Sequence, residues 1–149
     1  MIARTFVTFV TAIVLVAGFV IAGNFALAAG SQSDFAPGQM WSVKGSSAKV
    51  IVVRVEQWHD RIAVHISIID IPAPPDLPWL TKIGHMPFDK DALAASVDQL
   101  VANDVKPVDT FDGGYENWKD AKGGIFTISV AEAIETMFTT VRKGTRQPT

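Results

Sequence analysis

The stretch KVIVVRVEQWHDRIAVHISIID, residues 49–70, decides the fold of this chain. Its two halves, Lys49 to Gln57 and Ile62 to Asp70, are rich in Val and Ile, the residues that favour β-strands. Between them, His59-Asp60 marks a turn. Two apolar strands joined by a short polar turn predict a β-hairpin.

The alternation of apolar and polar residues predicts how this hairpin pairs. If both apolar faces point inward, paired residue numbers sum to an odd number, because a slip of one residue would expose a whole apolar face. A turn centred on His59-Asp60 makes that sum 119, which pairs Val53 with Ile66 and Arg54 with His65. The residues predicted to face inward are Ile51, Val53 and Val55 in the first strand and Ile62, Val64, Ile66 and Ile68 in the second, with Arg54, Glu56, His65 and Ser67 on the outer face.

Further strands and a helix are predicted on either side of the hairpin. Residues 40–44 form a short strand before it. Residues 71–78 contain four prolines and predict a stiff, extended loop. Residues 81–86 form another short strand, and Asp89 caps a helix that continues to about Ala102.

The last third of the chain is predicted to be mainly helical. Residues 112–114 begin a short helix that carries Tyr115 and Trp118, and residues 125–128 form a brief strand. Ser129 and Glu132 match a capping box at the start of a final helix. Strands in the first half and helices in the second predict an α+β fold, an antiparallel sheet with two or three helices packed on one face.

The N-terminal segment differs sharply in composition from the rest. Of the first 28 residues, 21 are apolar, and Arg4 is the only charged side chain among them. A positive start, an apolar run and the small residues Ala26-Leu27-Ala28 predict a signal peptide over residues 1–28. We expect a linker over 29–37, one α+β domain over 38–143 and a flexible tail over 144–149.

This segment predicts an exported protein, periplasmic or secreted. The alternative is an uncleaved helix over about residues 5–29 that anchors the chain in the inner membrane with the domain outside. Only in that case would the protein contact a membrane.

Composition excludes several classes of function. The chain has no cysteine, which rules out disulfides, thiol catalysis and thiolate metal sites. Its formal net charge is -2. We therefore expect no nucleic-acid partner, since such a partner requires a basic face. We also expect no cofactor.

The histidines and carboxylates supply the weak catalytic candidates. His59 is expected in the hairpin turn and His65 on the outer face of the sheet, and no metal-binding spacing is present, so no metal site is predicted. His85 lies in a loop next to Met86-Pro87, where an imidazole could bond the backbone, contact a ligand or act as a general base. Asp109 and Asp112 are the carboxylates that could assist it.

The aromatic side chains supply the binding candidates. Exposed Trp and Tyr commonly anchor partners or sugar-like ligands. Trp79 follows the proline-rich loop and is the best candidate for an exposed contact. Trp118 and Tyr115 form a second pair, although Trp41 and Trp118 also suit a core. The predicted binding residues are His85, Trp79, Tyr115 and Trp118.

Several motifs taken together resemble a family of small uncharacterised bacterial proteins. The resemblance spans about residues 38–135 and implies a single domain, without implying an activity, cofactor or partner. It draws attention to His85, Tyr115 and Trp118, which lie inside its motifs. The motifs are Gly38-Gln39-x-Trp41, Val64-His65-Ile66-Ser67, Gly84-His85-Met86-Pro87-Phe88, Phe111-x-x-Gly114-Tyr115-x-x-Trp118 and Gly124-Ile125-Phe126-Thr127-Ile128-Ser129-Val130-Ala131-Glu132-Ala133.

Three hypotheses of function follow from the sequence. The first is a non-enzymatic exported module that binds a protein or a small ligand near His85, Trp79 and residues 111–118. The second is a small hydrolase or lyase that uses His85 with Asp109 or Asp112. The third is a structural envelope protein held by an uncleaved N-terminal helix.

Overall fold

Five strands and three helices make up residues 34–145, the part of the chain that the computed structural model describes. The strands form one antiparallel sheet in the order β4-β3-β2-β1-β5, so the α+β prediction is confirmed. The predicted export segment and residues 146–149 lie outside the described residues. In chain order the elements are β1 (Met40–Val43), β2 (Lys49–Trp58), β3 (Arg61–Ile69), β4 (Ile83–Asp89), α1 (Lys90–Ser96), β5 (Val97–Ala102), α2 (Phe111–Asp120) and α3 (Val130–Thr145).

The central hairpin of β2 and β3 has the predicted register in one half and a different one in the other. Near the turn, Arg54 pairs with His65 as predicted. Beyond a β-bulge at Val53, however, Val52 rather than Val53 pairs with Ile66. The prediction that Val53 pairs with Ile66 is therefore wrong, because a bulge inserts one unpaired residue and shifts the sum by one.

The bulge decides which side chains face the core. In a regular strand, residues 50, 52, 54 and 56 would share one face. Because the bulge reverses the alternation, Val50 and Val52 enter the core while Arg54 and Glu56 lie on the opposite face. The prediction that Ile51 faces the core with Val53 is also wrong, since Ile51 pairs with Ser67 on that opposite face.

One face of the sheet carries the main hydrophobic core. Val64, Ile66 and Ile68 of β3 point into it, as predicted. Helices α1 and α3 cover this face, together with the proline-rich loop between β3 and β4. The side chains that these elements contribute include Leu77, Leu80, Leu93, Val130, Ile134 and Phe138.

Helix α2 covers the other face of the sheet. Its Tyr115 and Trp118 rings contact His65, which alternates with the core residues of β3 and therefore points away from them. The expectation that all helices pack on one face is thus wrong for α2. The polar outer face of the hairpin lies beneath this helix.

The segment after Asp89 is shorter as a helix than predicted. Asp89 caps α1, as expected, by accepting hydrogen bonds from the backbone N–H groups of Asp91 and Ala92. The helix ends at Ser96, and residues 97–102 form β5, which pairs with β1 at the edge of the sheet. Two valines in this segment favour a strand, and β1 offers unpaired backbone groups, so strand pairing replaces the last helical turns.

Two smaller elements and the final helix complete the comparison. Strand β4 continues through Pro87 because it is an edge strand, where a missing N–H is tolerated. Residues 125–128 form only a bridge, between Phe126 and Phe88. The capping box is confirmed: Glu132 N–H donates to Ser129 Oγ, and Ser129 N–H donates to Glu132 Oε2. Of the helices described, none is long and apolar enough to cross a membrane.

Candidate functional site

A cluster of polar and aromatic side chains lies between α2 and the outer face of the sheet. Strands β2, β3 and β4 contribute one polar residue each, and α2 contributes two aromatic residues that share one helical face. We call this group the histidine cluster. Its members are Glu56, His65, His85, Tyr115 and Trp118.

Two imidazoles form the centre of the cluster. His65 Nδ1 lies 2.9 Å from His85 Nε2, which is the distance of a hydrogen bond. The rings are nearly parallel, with 15° between their planes. His65 is 0% exposed, whereas His85 is half-buried. The prediction that His65 lies on the outer face is correct, but α2 covers it completely.

Glu56 approaches the other side of the His65 ring. Its Oε1 atom lies 2.9 Å from His65 Nε2, although the ring nitrogen is not aligned as a hydrogen-bond donor toward it. A bare nitrogen lone pair at this distance from a carboxylate would be repelled. A proton on Nε2 makes the contact attractive.

That proton assignment determines the tautomer of the second imidazole. If His65 carries its proton on Nε2, its Nδ1 is an acceptor, so His85 must donate from its own Nε2. The result is a directed chain from Glu56 through His65 to His85. His85 Nδ1 then has no proton in the neutral state.

Tyr115 connects α2 to the same carboxylate. Its hydroxyl donates to Glu56, whose two oxygens lie 3.2 Å away, and it accepts a hydrogen bond of 2.8 Å from Arg54 Nη1. The Arg54 guanidinium also lies 4.7 Å from the centre of the Tyr115 ring. Contact with the Tyr115 hydroxyl raises the pKa of Arg54. These bonds hold Glu56 in place beside His65.

Burial keeps both imidazoles neutral. Burial, together with the neighbouring His65, lowers the pKa of His85 to about 4, while Glu56 opposes the shift. Burial also lowers the pKa of His65, against the opposing effect of Glu56. A neutral imidazole has a lone pair that can accept a proton, but a pKa of about 4 makes His85 a weaker base near neutral pH than an ordinary histidine.

His85, at the outer end of this line of side chains, reaches solvent. His85 Nδ1 has no hydrogen-bond partner among residues 34–145. Among these residues, His65 Nε2 is the only side-chain polar atom that is both fully buried and without a partner, so His85 Nδ1 is not fully buried. It therefore retains access to water. His85 Nδ1 is thus the solvent-facing end, and Glu56 the inner end, of a line of polar groups joined at its centre by the hydrogen bond between the imidazoles.

Close backbone packing holds α2 against His85. A Cβ atom placed on Gly114 would lie 2.7 Å from His85 Cβ, closer than such atoms come in proteins. Ser67 ties down the chain before α2, because its hydroxyl donates to Gly84 C=O at 2.7 Å and accepts from Val108 N–H at 3.2 Å. Because of the short distance to His85 Cβ, only glycine at position 114 lets α2 lie this close to β4.

A surface cleft of about 300 Å³ opens beside the histidine cluster. It lies where the β2–β3 turn meets the C-terminal end of α2. We call it the aromatic–lysine cleft. Its lining residues are Trp58, His59, Trp118, Lys119, Lys122 and Gly123.

Trp118 belongs to both the cluster and the cleft. Its ring centre lies 4.7 Å from that of His65. Its indole N–H donates to Gly124 C=O at 2.8 Å, and a Cβ atom on Gly123 would lie 2.2 Å from its Cδ1 atom. The indole is therefore held on several sides and forms a fixed wall of the cleft.

The structure brings three of the four predicted binding residues together. The His85, Tyr115 and Trp118 rings lie within about 6 Å of one another. Trp79 lies elsewhere, in the loop at the far end of β3 from the hairpin turn, where it is 63% exposed.

The predicted carboxylate partners of His85 are not its partners in the structure. Asp109 and Asp112 are exposed, and within residues 34–145 neither forms a hydrogen bond with His85. The carboxylate connected to His85 is Glu56, through His65. We also find no group of three or more His, Asp or Glu side chains in this part of the chain that could hold a metal ion.

Sequence reasoning missed His65, Glu56 and Arg54 as site residues. A signal was present, because these side chains share the polar face of a hairpin whose other face is apolar. Residues 111, 115 and 118 also place three aromatic rings on one side of a helix. A polar sheet face and an aromatic helix face that both lacked a partner could have been matched to each other.

Comparison of the chain with protein-family models, with curated proteins and with solved structures finds no match.

Proposed function

We propose that this chain is a non-enzymatic binding module that takes a small ligand in the aromatic–lysine cleft. One observation supports the proposal above all. The Trp118 indole lines this cleft while its position is fixed by the histidine cluster and by the backbone at Gly123 and Gly124. A rigid aromatic wall binds ligands at low entropic cost.

The other wall of the cleft is also held in place. Trp58 packs edge-on against His59, with 4.4 Å between the ring centres. The Gln57 side-chain amide donates to the C=O groups of His59 and Arg61, which fixes the turn. The cleft volume of about 300 Å³ is at the small end of ligand pockets, so we propose a small molecule rather than a long polymer.

Fluorine NMR of the tryptophans tests this proposal with ligands of varied chemistry. The full chain is labelled with fluorotryptophan, which gives one resonance for each of its 4 tryptophans. A fragment library of aromatic acids, amines, amides and monosaccharides is then screened. We expect the hits to shift the Trp58 and Trp118 resonances and to leave those of Trp41 and Trp79 unchanged.

A pair of glycine variants supplies the control for the screen. Gly123→Ala places a methyl group against Trp118, so the hits should weaken or disappear. Gly124→Ala has open space around the new methyl group, so the hits should remain. Hits that shift only Trp79, or a library without any hit at Trp58 and Trp118, would contradict the proposal.

A second candidate is a small hydrolase or lyase with His85 as general base. One observation favours it: the solvent-facing His85 Nδ1 is linked through His65 to Glu56. Under this hypothesis His85→Gln abolishes turnover in a panel of ester, lactone and glycoside substrates, whereas Lys106→Gln, at an exposed position outside the cleft lining, does not. Equal activity in the two variants would argue against it.

We further propose that the domain is exported, by virtue of the apolar N-terminal segment. Mass spectrometry of the exported protein should find a mature chain that begins at Ala29. Recovery of the intact chain from membranes would favour instead the anchored envelope protein.

A further inference from the structure

We propose that the ligand of the aromatic–lysine cleft is a small organic carboxylate carried on an apolar ring. The inference rests on the proposed function and specifies the chemistry of the ligand.

The lining of the cleft contains two cationic residues and no acidic residue. Lys119 and Lys122 are the charged residues of its lining, and none of the six lining residues is Asp or Glu. Lys119 Nζ forms an ion pair with Glu116 Oε2 at 3.4 Å, whereas Lys122 forms no ion pair within residues 34–145. Asp60, beside the turn, lines a separate cleft with Arg61 and Asp89. An anionic ligand would therefore meet the positive charge of Lys122, which no carboxylate among residues 34–145 pairs with.

The walls of the cleft select an apolar ring rather than a bare ion. The Trp118 N–H is already bonded to Gly124 C=O, so this indole offers its apolar surface. Trp58 faces the same cleft. Aromatic rings pack well against other rings in offset or edge-on arrangements. A compact anion such as inorganic phosphate would leave these surfaces unused.

Two residues that line the cleft have an uncommon backbone conformation. His59 and Lys122 both have positive φ angles, 53° and 50°, in which residues with a side chain are uncommon. Both line the aromatic–lysine cleft. The two-residue hairpin turn accounts for the first angle, and the C-terminal cap of α2 accounts for the second.

Three probes of similar size test the charge preference. Benzoate, benzamide and benzylamine share one ring and differ in charge. Each is titrated into the full chain labelled with fluorotryptophan, at about 20 mM salt. We expect benzoate to shift the Trp58 and Trp118 resonances with an affinity at least about threefold higher than the other two. Its affinity should fall at about 200 mM salt, because salt screens exposed charges.

Two lysine variants locate the charge. Lys122→Gln should weaken benzoate binding roughly twofold to fivefold, the range for an exposed ion pair, and leave benzamide binding unchanged. Lys106→Gln is the matched control, since Lys106 is exposed in the segment before α2. It should change neither.

Each alternative outcome has a definite meaning. If the three probes bind at Trp58 and Trp118 with equal affinity, or if Lys122→Gln has no effect, the carboxylate proposal is wrong and the binding module still stands. If no probe shifts these resonances, the carboxylate proposal is also wrong. The fragment screen then decides separately whether the cleft binds any ligand.

Discussion

His65 Nδ1 lies 2.9 Å from His85 Nε2, and this contact joins β3 to β4 beneath α2. The two imidazoles are buried to different extents, and only the outer one reaches solvent. The contact converts three separate polar residues of the sheet, Glu56 included, into one connected chain. This chain and the fold around it lead to four predictions.

The first prediction concerns stability in acid. The pKa of His85 is lowered from 6.5 to about 4 by burial, and that of His65 is lowered too. Between pH 6.5 and about pH 4, the unfolded chain binds a proton at His85 that the folded chain does not bind. The free energy of unfolding should therefore fall as the pH drops from 6.5 toward 4, with a slope approaching about 1.4 kcal/mol per pH unit for His85 alone.

Urea unfolding at several pH values across this window measures the slope. His85→Gln should flatten it because the titrating group is removed. His59→Gln, a variant in the exposed turn, should keep the slope of the wild type. A stability that stays constant across the window would show that the imidazoles are not held neutral by burial.

The second prediction concerns tautomers. The position of Glu56 predicts that both His65 and His85 carry their neutral-state proton on Nε2. Nitrogen NMR of the imidazole rings near pH 7 distinguishes protonated from bare nitrogens directly. A proton on His65 Nδ1 would reverse the direction of the chain and overturn the role that we assign to Glu56. Glu56→Gln should alter the His65 signals and leave those of exposed His59 unchanged.

The third prediction uses two adjacent glycines in α2. Gly114→Ala should destabilise the fold by about 1–3 kcal/mol, because the new methyl group would lie 2.7 Å from His85 Cβ in a packed interface. Gly113→Ala should stabilise it by about 0.5–1 kcal/mol, because alanine favours a helix and nothing lies within 4 Å. Thermal unfolding compares the two. Equal stability of the two variants would place α2 differently from the arrangement described.

The fourth prediction tests the bulge at Val53. Val52 is 0% exposed and Val55 is 37% exposed. Val52→Ala should therefore cost about 2 kcal/mol, and Val55→Ala well under 1 kcal/mol. A regular register, with Val53 and Val55 in the core, predicts the opposite order. The measured free energies of unfolding thus discriminate between the two registers.

Local pattern was sufficient for much of the fold. The hairpin, its turn, the pairing of Arg54 with His65 and the capping box at Ser129 each depend on residues that are close in sequence. These features could be predicted because turn chemistry and side-chain alternation act over a few residues. The second half of the helix after Asp89 could not be, since its strand conformation depends on pairing with distant β1.

The candidate site shows the same division. The sequence singled out His85, Tyr115 and Trp118, but it assigned Asp109 or Asp112 as the carboxylate. Glu56 and His65 lie on the predicted outer face, but which side chains of that face form a site depends on where α2 packs. No spacing rule in the sequence places α2 on that face.

The sequence by itself determined an α+β chain with an apolar β-hairpin and an aromatic helix near the end. Only the tertiary structure decided that this helix lies across the polar face of the hairpin, opposite the main core. The physical reason is that the aromatic face of α2 and the polar side chains of His65 and Glu56 satisfy each other only in contact. That contact joins residues about 60 positions apart, beyond the reach of local periodicity.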